Sequence, residues 1–213
     1  MKNYNVNCIE RDTLILTGKG ADPLWRKAEL LTDFISPWDN EKIEKIEFKA
    51  LWDTKNIFFC FTVFDKVIHI DKTNNSLESV GNSDRVELFF RTSALLSPYY
   101  CLEIDPTPRI MDFMAYPNKN FNFDWNWPKN DLTVKSHINS NKFTVEIAIS
   151  LPSLKKLNLI RDNKIEAGIF RAKYKEQENS IFEPTWISWV NPETEGPNFH
   201  TPTSFGLLNL LEQ

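Results

Sequence analysis

Glycine, histidine and cysteine are all scarce in this sequence, and their scarcity excludes several classes of site. With only six glycines among 213 residues, a phosphate-binding loop or a dinucleotide-binding turn would stand out, and neither is present. The sequence also has no nucleophile elbow and no HExxH motif. The three histidines, His69, His137 and His200, are scattered and make no zinc set. No cofactor is therefore predicted from these motifs.

Positive charge and long apolar runs are lacking as well. The net charge of −4 is the opposite of the basic stripe that a nucleic acid needs, so we predict no nucleic-acid partner. No run of 18 apolar residues occurs, which predicts that no helix spans a membrane. The first 20 residues contain no apolar signal core. The sequence therefore does not decide the cellular compartment. The protein is cytoplasmic if the sequence is read as it stands, and periplasmic or extracellular if a signal was removed.

Three cysteines make an odd count, which does not suit a disulfide framework. Cys60 and Cys101 fall inside alternating segments that predict strands. We therefore expect both thiols to be reduced and buried as small apolar side chains.

Apolar and aromatic residues are plentiful, at 41% and 13% of the chain, enough for one full core. The clearest local signal is a hairpin over Lys45–Asp65. Its first arm alternates apolar and mostly charged residues, and Asp53-Thr54-Lys55-Asn56 suits the connecting loop. The second arm is apolar on both faces, which predicts that Ile57–Phe64 is an interior strand covered on both sides.

Further short segments carry the same alternation. We predict strands in 4–9 and 13–18, a helical turn opening at Asp22-Pro23, a long loop over 66–83 and a short helix beginning at Leu151. Other strands are predicted in 84–91, 99–105, 109–116, 132–138, 142–150, 164–174 and 203–211. Ten or more short strands with little helix predict an all-β fold, one antiparallel β-sandwich domain over residues 1–213.

Four segments resemble the family 9 carbohydrate-binding modules and their DOMON-like relatives, from roughly residue 20 to the C-terminus. They are LWDTKNIFFCFTVFD; SDRVELFF followed by YYCLEID; KFTVEIAISLPSL; and WISWVNPETEGPNFHTPTSFGLLNL. The resemblance implies a β-sandwich of jelly-roll type. It also implies binding of an oligo- or polysaccharide and a link to glycoside hydrolases in polysaccharide catabolism.

The resemblance also suggests site residues. Some family members hold a sugar between two stacked aromatic side chains, and Phe199 matches one of them. The other position is Gly81 here, so we consider Trp125 or Trp127 from the loop over 117–131 as a replacement. Glu87 and Glu103 match acidic positions of the family.

Sugar chemistry explains why such residues are candidates. A pyranose has an apolar C–H face, which aromatic rings cover, and a rim of hydroxyls, which charged groups bind strongly. The candidate set combines both: Phe199, Trp125, Trp127, Glu87, Glu103, Arg91, Arg171 and His200. Structural roles are open alternatives, because Glu87 could form a surface ion pair with Arg85 or Arg91, and His200 could simply hydrogen-bond its loop. We expect Trp52 and Trp186 in the core.

The function that we infer is non-catalytic carbohydrate binding. Two alternatives are a glycoside hydrolase that uses Glu87 and Glu103 as acid and base, and an aromatic protein-interaction module. A structural calcium is a further possibility, since Asp65 and Asp71 lie with Asn74 and Asn75 in an oxygen-rich loop.

Overall fold

Twelve strands dominate the computed structural model, which describes residues 1–39, 42–178 and 181–212. The strands are β1 Asn3–Cys8, β2 Ile46–Trp52, β3 Asn56–Val63, β4 Arg85–Arg91, β5 Tyr99–Ile104, β6 Ile110–Tyr116, β7 Asn120–Asn122, β8 Leu132–Asn139, β9 Lys142–Ser150, β10 Lys164–Glu176, β11 Phe182–Ser188 and β12 Gly206–Leu211. Helical elements of the described residues include α1 Leu77–Gly81 and α2 Leu151–Lys156, with 3-10 turns at Pro23–Lys27 and Pro202–Ser204. None of the helices in these ranges is long and apolar enough to cross a membrane.

The strands form one sheet that curls and packs on itself. Its order is β7-β6-β5-β4-β10-β12-β1-β2-β3-β9-β8, with β11 paired to β10. Phe59 of β3 and Phe90 of β4 are well separated in this order, yet their ring centroids lie 6.1 Å apart across the core. The prediction of an all-β sandwich is therefore confirmed.

The connection between the two layers departs from the antiparallel pairing that the sequence predicts. β1 pairs in parallel with both β12 and β2, and so joins the two layers through hydrogen bonds. The other strand pairs of the sheet are antiparallel. Alternation along β1 indicates a strand but carries no information on the direction of its partner, so this pairing was not predictable.

β3 has the predicted interior position, between β2 and β9. Ile57 and Phe59 face the main core, whereas Phe58 and Cys60 pack on the other side with Leu16 and Trp25. Trp25 is held by the 3-10 turn that Asp22 caps through a bond from the Leu24 amide, as the Asp-Pro pair predicts.

Residues 13–18, by contrast, form no strand, and that prediction is wrong. Carboxylates satisfy this segment's backbone instead: Asp22 Oδ2 accepts from the Ile15 amide, and Glu146 Oε2 accepts from the Thr17 and Gly18 amides. Side-chain acceptors thus replace a sheet partner.

The loop predicted over 66–83 also needs a correction, because α1 forms inside it behind an N-cap at Ser76. The helix at Leu151 is confirmed.

Burial of the cysteines leads to a labelling prediction. Cys60 and Cys101 are free and buried, as expected, and Cys8 is partly exposed. Burial raises the pKa of Cys60 to about 12 and holds that of Cys101 well above its usual value, so neither supplies a reactive thiolate. We expect a thiol reagent to modify only Cys8 in the native protein and all three thiols after unfolding, as counted by mass spectrometry. Rapid native labelling of Cys60 or Cys101 would contradict their placement inside the strands.

Candidate functional site

A row of side chains crosses four neighbouring strands on the sheet face that points away from the main core. Glu87 of β4 lies opposite Glu103 of β5, and Glu103 lies opposite Met111 of β6. On the other side, Glu87 pairs in register with Phe170 of β10. The faces are fixed by alternation, because Val86 and Leu88 beside Glu87 point into the core. The two glutamates are thus neighbours on adjacent strands.

Arg85 holds the two carboxylates together. Its Nε lies 2.6 Å from Glu103 Oε2 and 2.9 Å from Glu87 Oε1. Its Nη1 donates to the Gly81 carbonyl at 2.6 Å, which ties the group to the end of α1. All three charged side chains are buried. An isolated buried carboxylate would be costly, so Arg85 makes this cluster possible.

These residues form the floor of a cavity of about 240 Å³. Its walls come from loops that fold over the sheet face. The indole of Trp38 donates to the Thr194 carbonyl at 3.0 Å, which fixes one wall to the loop that precedes Phe199. The lining residues are Trp38, Arg85, Glu87, Glu103, Lys119, Trp186, Pro197, Asn198, Phe199 and His200.

Phe199 is part of this wall and is also firmly packed. Its ring stacks on Phe170, with centroids 4.1 Å apart and planes inclined by 14°. Trp186 meets it edge-on at 5.7 Å, and Trp38 lies at 5.4 Å. The Phe170 ring lies over Gly168, where a Cβ would come within 2.3 Å of it. Phe199 is consequently only 5% exposed and supports both the cavity and a small aromatic core.

The carboxylate pair has unusual electrostatics. Burial, followed by the nearby charge of Glu103, raises the pKa of Glu87 to about 8. Burial raises the pKa of Glu103 as well, against the opposing effect of Arg85. At neutral pH the pair therefore retains a proton. Glu87 Oε1 is buried, has Arg85 Nε as its close polar neighbour at 2.9 Å, and has no further hydrogen-bond partner among the described residues.

His200 holds the loop rather than carrying charge. Its Nδ1 lies 3.0 Å from the Tyr99 hydroxyl, and its ring stacks near Phe89 at 5.1 Å. Burial, helped by the positive charges of Lys119 and Arg85, lowers the pKa of His200 to about 3. The imidazole is thus neutral at physiological pH, and it is a cavity wall with one hydrogen bond to the sheet.

Two of the predicted rim residues lie elsewhere. Arg91 shares the face of Glu87 but is four residues, roughly 13 Å, further along the strand. There it pairs with Glu166 and donates to the Pro202 carbonyl. Arg171 points to the opposite face, because its neighbour Phe170 is the residue in register with Glu87. Neither side chain lines the cavity.

The segment predicted as a loop over 117–131 contains the short strand β7, and its two tryptophans also lie apart from the cavity. Trp127 is 4% exposed, and its indole donates to Ser153 Oγ at 3.1 Å. Trp125 is partly buried against Tyr100, at 4.8 Å between centroids. Asp112 Oδ2 accepts from the Trp127 amide at 2.5 Å, which helps hold the loop against the core side of the sheet. Trp127 therefore does not replace the aromatic side chain that is missing at Gly81.

Sequence reasoning missed several cavity residues. Trp186 was expected in the core, whereas it forms a cavity wall beside Arg85, whose guanidinium lies 5.4 Å from its ring. Trp38 stands in a polar turn after Pro37, the same signal that drew attention to Trp125 and Trp127. Lys119 and Asn198 lie in loops whose sequence gives no indication of a ligand.

The proposed calcium ligands already have protein partners. Asp65 pairs with Lys173 at 2.7 Å and with Arg171, and Asp71 Oδ1 accepts from the Thr73 amide and hydroxyl at 2.9 and 2.7 Å. Over residues 1–39, 42–178 and 181–212, no cluster of three or more His, Cys, Asp or Glu side chains could hold a metal.

The raised pKa of Glu87 leads to a prediction on stability. A carboxyl whose folded-state pKa lies above its unfolded value stabilises the fold fully below the unfolded pKa, and this contribution is lost as pH rises through the folded pKa. The free energy of unfolding should therefore fall between the ordinary value of 4.5 and about 8. Glu87→Gln, which keeps the shape without the charge, should flatten this slope in urea titrations across the range.

The matched control for this prediction is Glu10→Gln, which removes an exposed carboxyl and should leave the slope unchanged. An identical slope in wild type and Glu87→Gln would show that Glu87 does not titrate in this range.

Comparisons with known proteins place these features in context. The family model described as "Carbohydrate family 9 binding domain-like" matches residues 16–213. A crystal structure of a proposed carbohydrate-binding protein from Bacteroides uniformis ATCC 8492 is similar, with a TM-score of 0.73, 16% identity and coverage of 99% of both chains.

A family 9 carbohydrate-binding module from Caldicellulosiruptor kristjanssonii is similar in two solved complexes. Its glucose complex gives a TM-score of 0.63 at 15% identity, covering 100% of this chain and 97% of the module. Its cellotriose complex gives 0.64 at 15%, covering 100% and 95%. At such identities the structural likeness shows the fold alone. None of the curated proteins compared with the chain matches it.

Proposed function

Because the chain belongs to the carbohydrate family 9 binding domain-like family, we propose that the cavity walled by Phe199 is its carbohydrate-binding site. Non-catalytic carbohydrate binding is the function that the family supports, and the fold is that of a module solved with glucose and with cellotriose. We assign the site to this particular cavity because it combines aromatic rings with paired carboxylates.

The observation that carries the proposal is the position of Glu87, Glu103 and Arg85 beneath Trp38, Trp186 and Phe199. Aromatic surfaces favour the C–H face of a pyranose, and the charged floor favours its hydroxyls. Beyond Arg85 Nε at 2.9 Å, Glu87 Oε1 has no polar partner in the described part of the chain. A buried polar atom of this kind gains most when a ligand donates to it.

The volume of the cavity indicates how many sugar rings it can hold. The volume of about 240 Å³ lies below the range of roughly 300–1,000 Å³ that is usual for drug-sized ligands. A single sugar ring suits such a space, with any further rings of a chain outside it. Trp38 and Trp186 supply the aromatic surface that is missing at Gly81.

The arrangement favours binding over hydrolysis. Glycosidases need an acid and a second carboxylate flanking the scissile bond, about 5–10 Å apart. Glu87 and Glu103 are instead adjacent in register and share the Nε of one guanidinium. Both lie at the floor of the cavity, so a glycosidic bond has no room between them. Fixed in this way, they act as hydrogen-bonding groups.

Calorimetry with glucose, cellobiose, cellotriose and xylobiose, combined with an assay for new reducing ends, tests the proposal. We expect binding without bond cleavage, and an affinity at least about fivefold weaker in Trp38→Ala. Phe123→Ala is the control, because Phe123 is an exposed aromatic outside the cavity. New reducing ends would indicate the hydrolase. Binding to no sugar, with a mass in solution that rises with concentration, would indicate an interaction module.

A structural calcium near Asp65 and Asp71 is a separate proposal. It would have to compete with the ammonium of Lys173 for Asp65. Melting curves with added Ca²⁺ and with a chelator test it, since a bound ion raises the melting temperature by mass action. Identical curves would reject it without affecting the sugar site.

A further inference from the structure

A second and larger cavity, of about 700 Å³, opens on the opposite face of β10 from the sugar site. Arg171 and Lys173 line this second cavity. The side chain of Phe170 points to the other face of β10, where Glu87 lies. Such a volume falls within the roughly 300–1,000 Å³ of small-molecule sites. Its lining combines charged, aromatic and aliphatic side chains.

The floor of this cavity is built from buried charges. Arg171 and Lys173 are 1% and 8% exposed, and they meet the carboxylates of Asp65 and Asp84. Lys173 pairs with both carboxylates and also donates to the Val67 carbonyl. Two cations and two carboxylates balance, so the floor itself is close to neutral.

Arg171 nevertheless has donors left over. Its Nη2 bonds Asp65, but its Nε and Nη1 have no acceptor among the described residues. A guanidinium has five donors, and leaving buried ones unmet is unfavourable. Both nitrogens are buried, so a ligand acceptor would reach them only after a rotation of the Arg171 side chain toward the cavity.

The side chains on the walls and at the rim indicate the charge and the apolar character of a fitting ligand. Five cationic side chains line the cavity, Lys42, Lys66, Arg171, Lys173 and Lys175. Four carboxylates oppose them, Glu44, Asp65 and Glu176 in the lining and Asp84 at the floor, which leaves an excess of one positive charge. This excess favours an anion. At the mouth, the rings of His69 and Phe182 stack at 3.7 Å, inclined by 21°. Ile43, Ile68 and Ile187 add apolar surface, which a sugar would leave unused.

We propose that this cavity binds a small carboxylate with a flat apolar body, such as an aromatic acid. Its carboxylate pairs with Arg171 and Lys173 at the floor, where charge-assisted and bidentate bonds are strongest. Its ring lies against the Phe182 and His69 stack at the mouth. The site is independent of the sugar cavity and of the function assigned to it.

Calorimetry at neutral pH with trans-cinnamate, and with cinnamyl alcohol as the uncharged counterpart, tests the proposal. We expect cinnamate to bind with a Kd of about 1 mM or tighter and the alcohol to bind at least about tenfold more weakly. Phe182→Ala should weaken cinnamate binding at least about fivefold, without unfolding the protein, because Phe182 is 37% exposed. Phe123→Ala, which removes a Phe that is 44% exposed at another surface, should change nothing.

A charge variant completes the test. Arg171→Lys keeps a cation beside Asp65 but removes the planar guanidinium, which can bind a carboxylate through two parallel hydrogen bonds. It should weaken cinnamate binding while sugar binding persists. Absence of cinnamate binding to the wild type, equal binding of the alcohol, or indifference to Phe182→Ala would each overturn the proposal. Tighter binding of glucuronate than of cinnamate would overturn the apolar part of the assignment.

Discussion

Phe199→Ala is expected to abolish measurable sugar binding and to lower the free energy of unfolding by about 3–5 kcal/mol. Loss of stacking alone accounts for about 1–3 kcal/mol of binding, or roughly 5- to 150-fold in affinity. The cost in stability follows from the contacts that the ring makes with Phe170 and Trp186. Because Phe199 is only 5% exposed, its removal leaves a void that also unsettles the cavity wall.

Phe199→Leu separates these two effects. Leucine fills much of the same space, so the loss in unfolding free energy should be smaller than for alanine. It offers no flat aromatic face, so sugar affinity should still fall. The measurements are urea denaturation and calorimetry on each variant. Unchanged affinity in a folded Phe199→Leu protein would remove Phe199 from the proposed site.

The part of the fold that sequence predicts well is local. The hairpin of β2 and β3 follows from alternation and a suitable loop, and the apolar pattern on both faces of β3 predicts its interior position. The failure at residues 13–18 shows the limit of this reasoning. Alternation there resembles a strand, but the bonding partners are the carboxylates of Asp22 and Glu146, the second of which is distant in sequence.

In the candidate site, too, local features are predictable from the sequence, whereas contacts between distant segments are not. Alternation predicts that Glu87 and Arg91 share a face, and strand order suggests that Glu103 lies nearby. The register between β4 and β10 is not predictable from either strand alone, yet it decides that Phe170, and not Arg171, lies beside Glu87. A shift of one residue would have reversed that outcome.

Loops are where prediction from residue type fails most clearly. Trp38, Trp125 and Trp127 all stand in polar segments rich in turn residues, and they give the same signal in sequence. Trp38 lines the cavity, whereas Trp127 is anchored on the core side by Asp112 and Ser153. The difference depends on hydrogen bonds to residues far along the chain, which composition does not encode.

Arg85→Met is expected to lower the free energy of unfolding by about 3–5 kcal/mol, because it leaves the buried, negatively charged pair of Glu87 and Glu103 without its cation. Its effect should depend on pH. Without Arg85, the folded-state pKa values of Glu87 and Glu103 should rise further above their unfolded values. Stability is then retained below the unfolded pKa and lost as pH rises through the folded one. The variant should therefore be closest to wild type in acid and weakest in alkaline solution, as measured by urea denaturation across pH.

Adding Glu87→Gln and Glu103→Gln to Arg85→Met tests the cause. With no charge left in the cluster, most of the lost stability should return, since removing a whole buried ion group costs far less than removing one partner. The dependence of stability on pH should become flatter than in the wild type. Sugar binding should not return, because the charge-assisted bonds to the hydroxyls are gone. If the triple variant bound sugar as the wild type does, Glu87, Glu103 and Arg85 would be a structural cluster, and the ligand would have to rest on the aromatic walls alone.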